Sequence, residues 1–155
     1  MTVFLVRHAS AGTRNGSDPG DHARHLDKTG HRQAAMLVEL LVDAPVVWVA
    51  SSPAARCVET LEPLAAARGL ELKQRGALFE GAELDESWEL LEWAARRHGD
   101  AVLCSHGDVI PELVRRAQLR GMEVPEKTGC SKGSCWALEW DGERFTKSRY
   151  TPLKP

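Results

Sequence analysis

Arg7 and His8 follow directly on the apolar run Val3-Phe4-Leu5-Val6, and the same grammar recurs twice further along the chain. Val46 to Ala50 runs into Ser51-Ser52, with Arg56 a turn later, and Ala101 to Cys104 runs into Ser105-His106-Gly107. Short apolar runs of this kind suit buried strands, so each delivers polar side chains at its carboxyl end. If the strands are parallel, one edge of the sheet gathers two imidazoles and two guanidiniums beside helix N-termini whose free N–H groups favour anions. A neutral imidazole is a competent nucleophile toward phosphorus, and guanidiniums hold equatorial phosphoryl oxygens by paired, charge-assisted hydrogen bonds. The expected site is therefore a pocket for a phosphoryl group that requires no metal and no cofactor. An alkoxide leaving group also needs a proton from a carboxyl group. Glu80, Glu83, Asp85 and Glu86, in the loop-like stretch after Leu78, are the available acids.

The elements that must position these residues can be read from periodicity and punctuation. Ser10 to Asp27 is rich in Gly, Ser, Asp and His without an apolar period, and a loop this long inside a compact domain signals function. Thr29 is expected to cap a helix that runs to about Asp43 with a broad apolar face, stopped by Pro45. Pro53 sits naturally in the first turn of a helix through Ala67, which Gly69 ends. Leu70 to Lys73 reads as a short strand, Glu86 to Arg97 as an amphipathic helix, and Val109 to Leu119 as another helix. Cys135 to Trp140 and Arg144 to Tyr150 flank Asp141-Gly142, a hairpin signal. Strands alternating with helices and a terminal hairpin imply an α/β three-layer sandwich, with a mostly parallel sheet and an antiparallel C-terminal pair. No linker or repeat interrupts residues 1–155, which are expected to form one domain.

Three blocks bear a resemblance to the histidine phosphatase (phosphoglycerate mutase-like) superfamily. Leu5-Val6-Arg7-His8-Ala9 resembles its signature with Ala for the commoner Gly; residues 51–60 are similar to its second block and residues 105–110 to its third. The resemblance implies that His8 becomes phosphorylated, that Arg7 and Arg56 clamp the phosphoryl group, and that His106 completes the pocket. Leu78-Phe79-Glu80 looks like the block that supplies the acid, which makes Glu80 the proton donor and Glu83 the fallback. Residues 21–34 resemble a block of the short phosphohistidine phosphatase-like group, which implies that Arg24 is a further phosphate-facing cation. Ser10 and Gly107, beside the two imidazoles, are expected to bind substrate. The chain is also similar to phosphatase domains fused to Nudix hydrolases in actinobacteria, including Lys132-Gly133-Ser134-Cys135-Trp136. Mutases of the superfamily are longer, so hydrolysis is expected over return of the phosphoryl group.

Composition bounds the partners. Twenty basic against 22 acidic residues leave no footprint for nucleic acid or an anionic membrane, so a basic site must be local. No apolar stretch approaches the roughly 20 residues that cross a bilayer, and a cytoplasmic monomer or weak homodimer is expected. Cys57, Cys104, Cys130 and Cys135 lack paired metal-ligand spacing and read as reduced thiols. His22, His25, His31 and His98 likewise lack ligand spacing and read as surface or pocket-rim groups. The expected partner is a phosphorylated small molecule or a phosphohistidine protein. A nucleotide or sugar-phosphate phosphatase, a mutase, and a phospho-ligand binding module without turnover are the alternatives.

Overall fold

The computed structural model describes residues 1–15 and 17–155. Strand β1 (Thr2–Arg7) leads through a 3-10 turn (Asp21–Ala23) to helix α1 (Lys28–Leu40), and β2 (Val46–Ser51) follows. Helix α2 (Ala55–Arg68), the short strand β3 (Leu72–Gln74) and helix α3 (Leu84–Ala95) come next. Then come β4 (Asp100–Ser105), α4 (Val109–Leu119) and the hairpin strands β5 (Cys135–Trp140) and β6 (Phe145–Thr151). The strands form one sheet in the order β3-β2-β4-β1-β5-β6. Neighbours from β3 to β1 are parallel, and β5 runs antiparallel to both β1 and β6.

Alternation along β1 explains the three layers. Val3 and Leu5 face α3 and α4 in a cluster with Leu91, Ile110, Leu113 and Trp136. Phe4 and Val6 face α1 and α2 in a second cluster with Leu37, Leu61, Leu64 and Val102. A strand buried on both faces needs an apolar residue at every position, hence the unbroken run before Arg7. Cys57, Cys104 and Cys135 are buried, unbridged thiols, and Cys57 and Cys104 pack among the apolar side chains as small hydrophobes. No helix among the described residues is long and apolar enough to cross a membrane.

Element boundaries depart from the sequence reading where side-chain bonds decide them. Asp27, not Thr29, caps α1: its carboxylate accepts from the Gly30 N–H at 2.8 Å, an Asx cap worth about 1 kcal/mol, and the helix ends at Leu40. Helix α3 begins at Leu84, two residues early, so the acids at 85 and 86 sit in its first turn, where the helix dipole favours them. The hairpin turn spans four residues, because the Asp141 carboxylate accepts from the N–H groups of both Glu143 and Arg144. Strand β6 therefore starts at Phe145.

The loop between β1 and α1 is built, with Gly16 outside the described residues. The Asp27 carboxylate also accepts from Ser10 Oγ at 2.7 Å and the Gly12 N–H at 2.9 Å, which drives its carboxyl down to about 2. Gln33 takes the Ser10 N–H on its Oε1 and donates to the carbonyls of Lys132 and Leu153, tying the loop to the C-terminal segments. Helix α1 presses so closely on this loop that a Cβ at Gly30 would lie 2.0 Å from the Ser10 carbonyl oxygen. Gly30→Ala is accordingly expected to cost about 1–3 kcal/mol, the range for forced overpacking. Urea unfolding measures it, and an unchanged midpoint contradicts the close approach.

Candidate functional site

Three adjacent strands, β2, β4 and β1, end at the same edge and deliver Ser52, His106 and His8 side by side. His8 leaves β1 with its N–H bonded to the Ser105 carbonyl at 3.0 Å, so its backbone is still held by β4. Its Nδ1–H donates to the Ala9 carbonyl at 2.9 Å, which assigns the lone pair to Nε2. The ring is only 4% exposed. Burial first, and then the charges of Arg56, His106 and Arg7, push its pKa from 6.5 down to about 3, against the opposing bond to Ala9. At neutral pH the ring is uncharged, with a nucleophilic nitrogen.

The other groups surround it. The His106 ring lies 5.5 Å from that of His8, centroid to centroid. Its Nε2 is 2.8 Å from Ser52 Oγ and its Nδ1 3.4 Å from Arg56 Nη2. Arg56, in the first turn of α2, is 2% exposed. Its Nη1 donates to the Asp21 carbonyl at 3.2 Å and its Nη2 to Glu80 Oε2 at 3.3 Å. Thr60, one turn on, donates to the Arg56 carbonyl and accepts the Ala9 N–H, so α2 and the end of β1 are fastened together.

Arg7 is fixed from the far side of the chain. Its Nη1 donates to the Cys130 carbonyl at 2.7 Å, and its N–H to the Ser134 carbonyl at 3.0 Å. The Gly133 N–H is shared between the carbonyls of Arg7 and His8. Gly107 gives the guanidinium its place, since a Cβ there would meet Arg7 Cζ at 3.0 Å. Among the described residues the Nε atoms of Arg7 and Arg56 are buried without a hydrogen-bond partner. Unsatisfied buried donors on two cations are costly unless an anion answers them.

Together these groups line a cavity of about 330 Å³ bounded by Arg7, His8, Arg14, Arg24, Arg56, Glu80, His106, Gly107, Asp108 and Lys132. Glu80 enters it on a short arch. Ser105 Oγ holds the Leu78 carbonyl at 2.6 Å, and the Asp108 carboxylate accepts the Gly81 N–H at 2.8 Å. Glu80 Oε1 pairs with Arg14 at 2.8 Å. Glu83 lies outside the lining set as an exposed residue ahead of α3.

Seven residues named from the sequence thus line one cavity: Arg7, His8, Arg24, Arg56, Glu80, His106 and Gly107. Ser10 does not. Its hydroxyl is spent on Asp27, so it shapes the loop rather than the cavity wall. Arg24 reaches the cavity already engaged, donating to Asp21 at 3.1 Å and to the Ala11 carbonyl. The bond from Arg24 first, and then that from the Asn15 N–H, push the Asp21 carboxyl down to about 2. His25, at the rim of the same loop, is held by Glu59. Arg14, Asp108 and Lys132 were given no role at the site from the sequence, although Asp108 and Lys132 lie within blocks that carry the family resemblance. The first of two arginines in the Gly- and Ser-rich loop and a lysine beside Gly133 were the available signals, and only the tertiary closure of those segments gives them meaning.

The model of the histidine phosphatase superfamily (branch 1) matches residues 3–84, more than half of the chain. An 8-oxo-(d)GTP phosphatase of Mycolicibacterium smegmatis is 36% identical over 146 residues, covering 92% of this chain and 45% of that protein. The chain therefore spans less than half of that relative. The uncharacterised protein Rv0525 of Mycobacterium tuberculosis is 36% identical over 196 residues, covering 96% of this chain and 95% of that protein. Among solved structures, the protein histidine phosphatase SixA complexed with tungstate superposes with a TM-score of 0.75. It shares 18% identity over 97% of this chain and 94% of that chain, a likeness of fold.

The depressed His8 titration has a consequence for stability. The unfolded chain binds a proton on this imidazole below about pH 6.5, and the folded chain only below about 3. Stability from this group is thus complete above pH 6.5 and is lost as pH falls through the window, with a slope of up to about 1.4 kcal/mol per pH unit. His8→Gln should flatten the unfolding free energy between pH 6 and pH 4 relative to the parent chain. Parallel curves from chemical denaturation would rule out a neutral buried His8.

Proposed function

The chain belongs to the histidine phosphatase superfamily, and from that membership and the cavity geometry we propose a phosphoric monoester hydrolase that works through a phosphoenzyme on His8. The observation that carries this reading is the bond from His8 Nδ1–H to the Ala9 carbonyl, which leaves Nε2 free beside Arg7, Arg56 and His106.

The steps follow from the residues. A phosphoryl group enters with its equatorial oxygens toward the unpartnered Nε donors of Arg7 and Arg56. Its charge competes with Glu80 for Arg56, which loosens the 3.3 Å pair and brings the carboxyl group into play. Nε2 attacks phosphorus in line, the P–N bond forms, and the P–O bond to the leaving group breaks. Glu80, as the carboxylic acid, gives its proton to the leaving oxygen. Water then attacks the phosphohistidine with Glu80 taking its proton, and orthophosphate leaves with Nε2 restored. Arg7, Arg56 and His106 neutralise charge throughout, so no metal is needed for that task.

Phosphomonoesters and phosphohistidine proteins both suit this chemistry, since each presents a terminal phosphoryl group. The superposition on SixA, described as a protein histidine phosphatase, supports the second class and the M. smegmatis relative a nucleotide.

Two outcomes follow for kinetics. His8→Ala is expected to lower kcat on p-nitrophenyl phosphate by at least about 10³-fold in a folded protein, with the parent activity resistant to EDTA. EDTA-resistant turnover that survives the substitution undiminished sinks the mechanism. Glu80→Gln should lower kcat on an alkyl phosphate by about 10²- to 10⁴-fold, the usual share of general acid catalysis, and by much less on p-nitrophenyl phosphate, whose leaving group barely needs the proton. Equal losses on both substrates would remove Glu80 from the role of acid.

A further inference from the structure

The cavity carries more positive charge than one phosphoryl group uses. Its floor is the buried set of His8, Arg56 and His106, 4%, 2% and 2% exposed, with Arg7 fixed beside them by the Cys130 carbonyl. Arg24 is occupied by Asp21. Arg14, which shares its partner Glu80 with Arg56, and Lys132 remain. The Arg14 side chain is 65% exposed, so it belongs to the mouth, and it lies one carboxylate further out than Arg56, with Glu80 between the two guanidiniums. Lys132 is half-buried on the lining, and among the described residues its ammonium has no ion-pair partner.

In-line displacement assigns these outer cations a place in the reaction. With the nucleophile on the floor, the leaving group departs on the opposite side, toward the mouth. The outer lining carries Arg14, Lys132 and two carboxylates, Glu80 already paired with Arg14 and Asp108 already bonded to the Gly81 N–H. For an alkoxide, Glu80 must first be released from its ion pairs and carry a proton. For a leaving phosphate the two cations fit: such a group departs as an anion, and fixed cations stabilise the charge that develops on it.

Resting on the phosphatase reading above, we propose that the substrate class is a diphosphate ester, with the terminal phosphoryl group on the floor and the second phosphate held by Arg14 and Lys132. Nε2 of His8 forms the P–N bond, the bond from the terminal phosphorus to the bridging oxygen breaks, and the electron pair stays on the departing phosphate monoester. Water then cleaves the P–N bond, yielding orthophosphate and one proton. The net reaction consumes one water and shortens the diphosphate to a monophosphate.

The test compares GDP, GMP and p-nitrophenyl phosphate in the parent chain, Arg14→Ala and Lys132→Ala. The parent is expected to hydrolyse GDP with a kcat/KM at least tenfold above that for GMP, which shares its base and sugar. Each variant should lower the ratio of kcat/KM for GDP to that for p-nitrophenyl phosphate by about tenfold. Turnover of p-nitrophenyl phosphate without turnover of GDP overturns the substrate class and leaves the phosphatase reading standing. GDP turnover with an unchanged ratio in both variants overturns the assignment of Arg14 and Lys132. No turnover of any of the three defeats the phosphatase reading, and this inference with it.

Discussion

The packing of like charges in a dry pocket is the constraint on which the rest of the structure depends. Arg7 and Arg56 bring guanidiniums to a buried sheet edge, where charge is poorly solvated and their mutual repulsion is strong. Such a cluster survives only if every fixed donor has an acceptor or waits for an anion. The carbonyls of Cys130 and Asp21 and the carboxylate of Glu80 meet part of that demand, and the two Nε atoms are left over. Burial first, and then the same field, keeps His8 neutral. A group that must attack phosphorus is thus kept from protonating by its burial, helped by the cations that hold the phosphoryl oxygens.

Holding this arrangement falls to segments far apart in the chain. The carbonyls that fix Arg7 come from residues 130 and 134, the arch that carries Glu80 is pinned by Ser105 and Asp108, and the loop that brings Arg14 and Arg24 is closed by Asp27 and Gln33. Three of these anchors, Ser105, Asp108 and Asp27, are short polar side chains at a strand end or a helix start. The strands supply direction, and the backbone bonds between loops supply position. The floor of a site so assembled rests on the hydrogen-bonded neighbours β1, β2 and β4, and its mouth meets solvent at Arg14.

The sequence made the floor of the site legible because strand ends are legible: an apolar run that stops at Arg7-His8 or Ser105-His106 gives both the element and its polar load. The parallel order of β1, β2 and β4 then follows from the intervening helices. Loop closure was not legible. Ser10 stands two residues after His8, yet its hydroxyl turns to Asp27, a partner 17 positions away. Lys132 and Asp108 gain their places only through the fold of segments that carry no period. Resemblance selected Glu80 over Glu83, and the geometry gives a reason: the arch from Leu78 to Gly81 is anchored at both ends, while Glu83 already belongs to the approach to α3.

The central claim is that phosphorus is bonded to His8 Nε2 between substrate binding and release of orthophosphate. Phosphohistidine survives base and is lost in acid, so the direct measurement is an alkaline quench during turnover followed by tandem mass spectrometry of the peptide that contains Arg7-His8-Ala9. The account predicts a phosphoryl group on His8 that appears within the first turnover, disappears as substrate is exhausted and is absent from His8→Ala. Orthophosphate release in the first turnover with no phosphoryl group on His8, or with one on another residue, contradicts it.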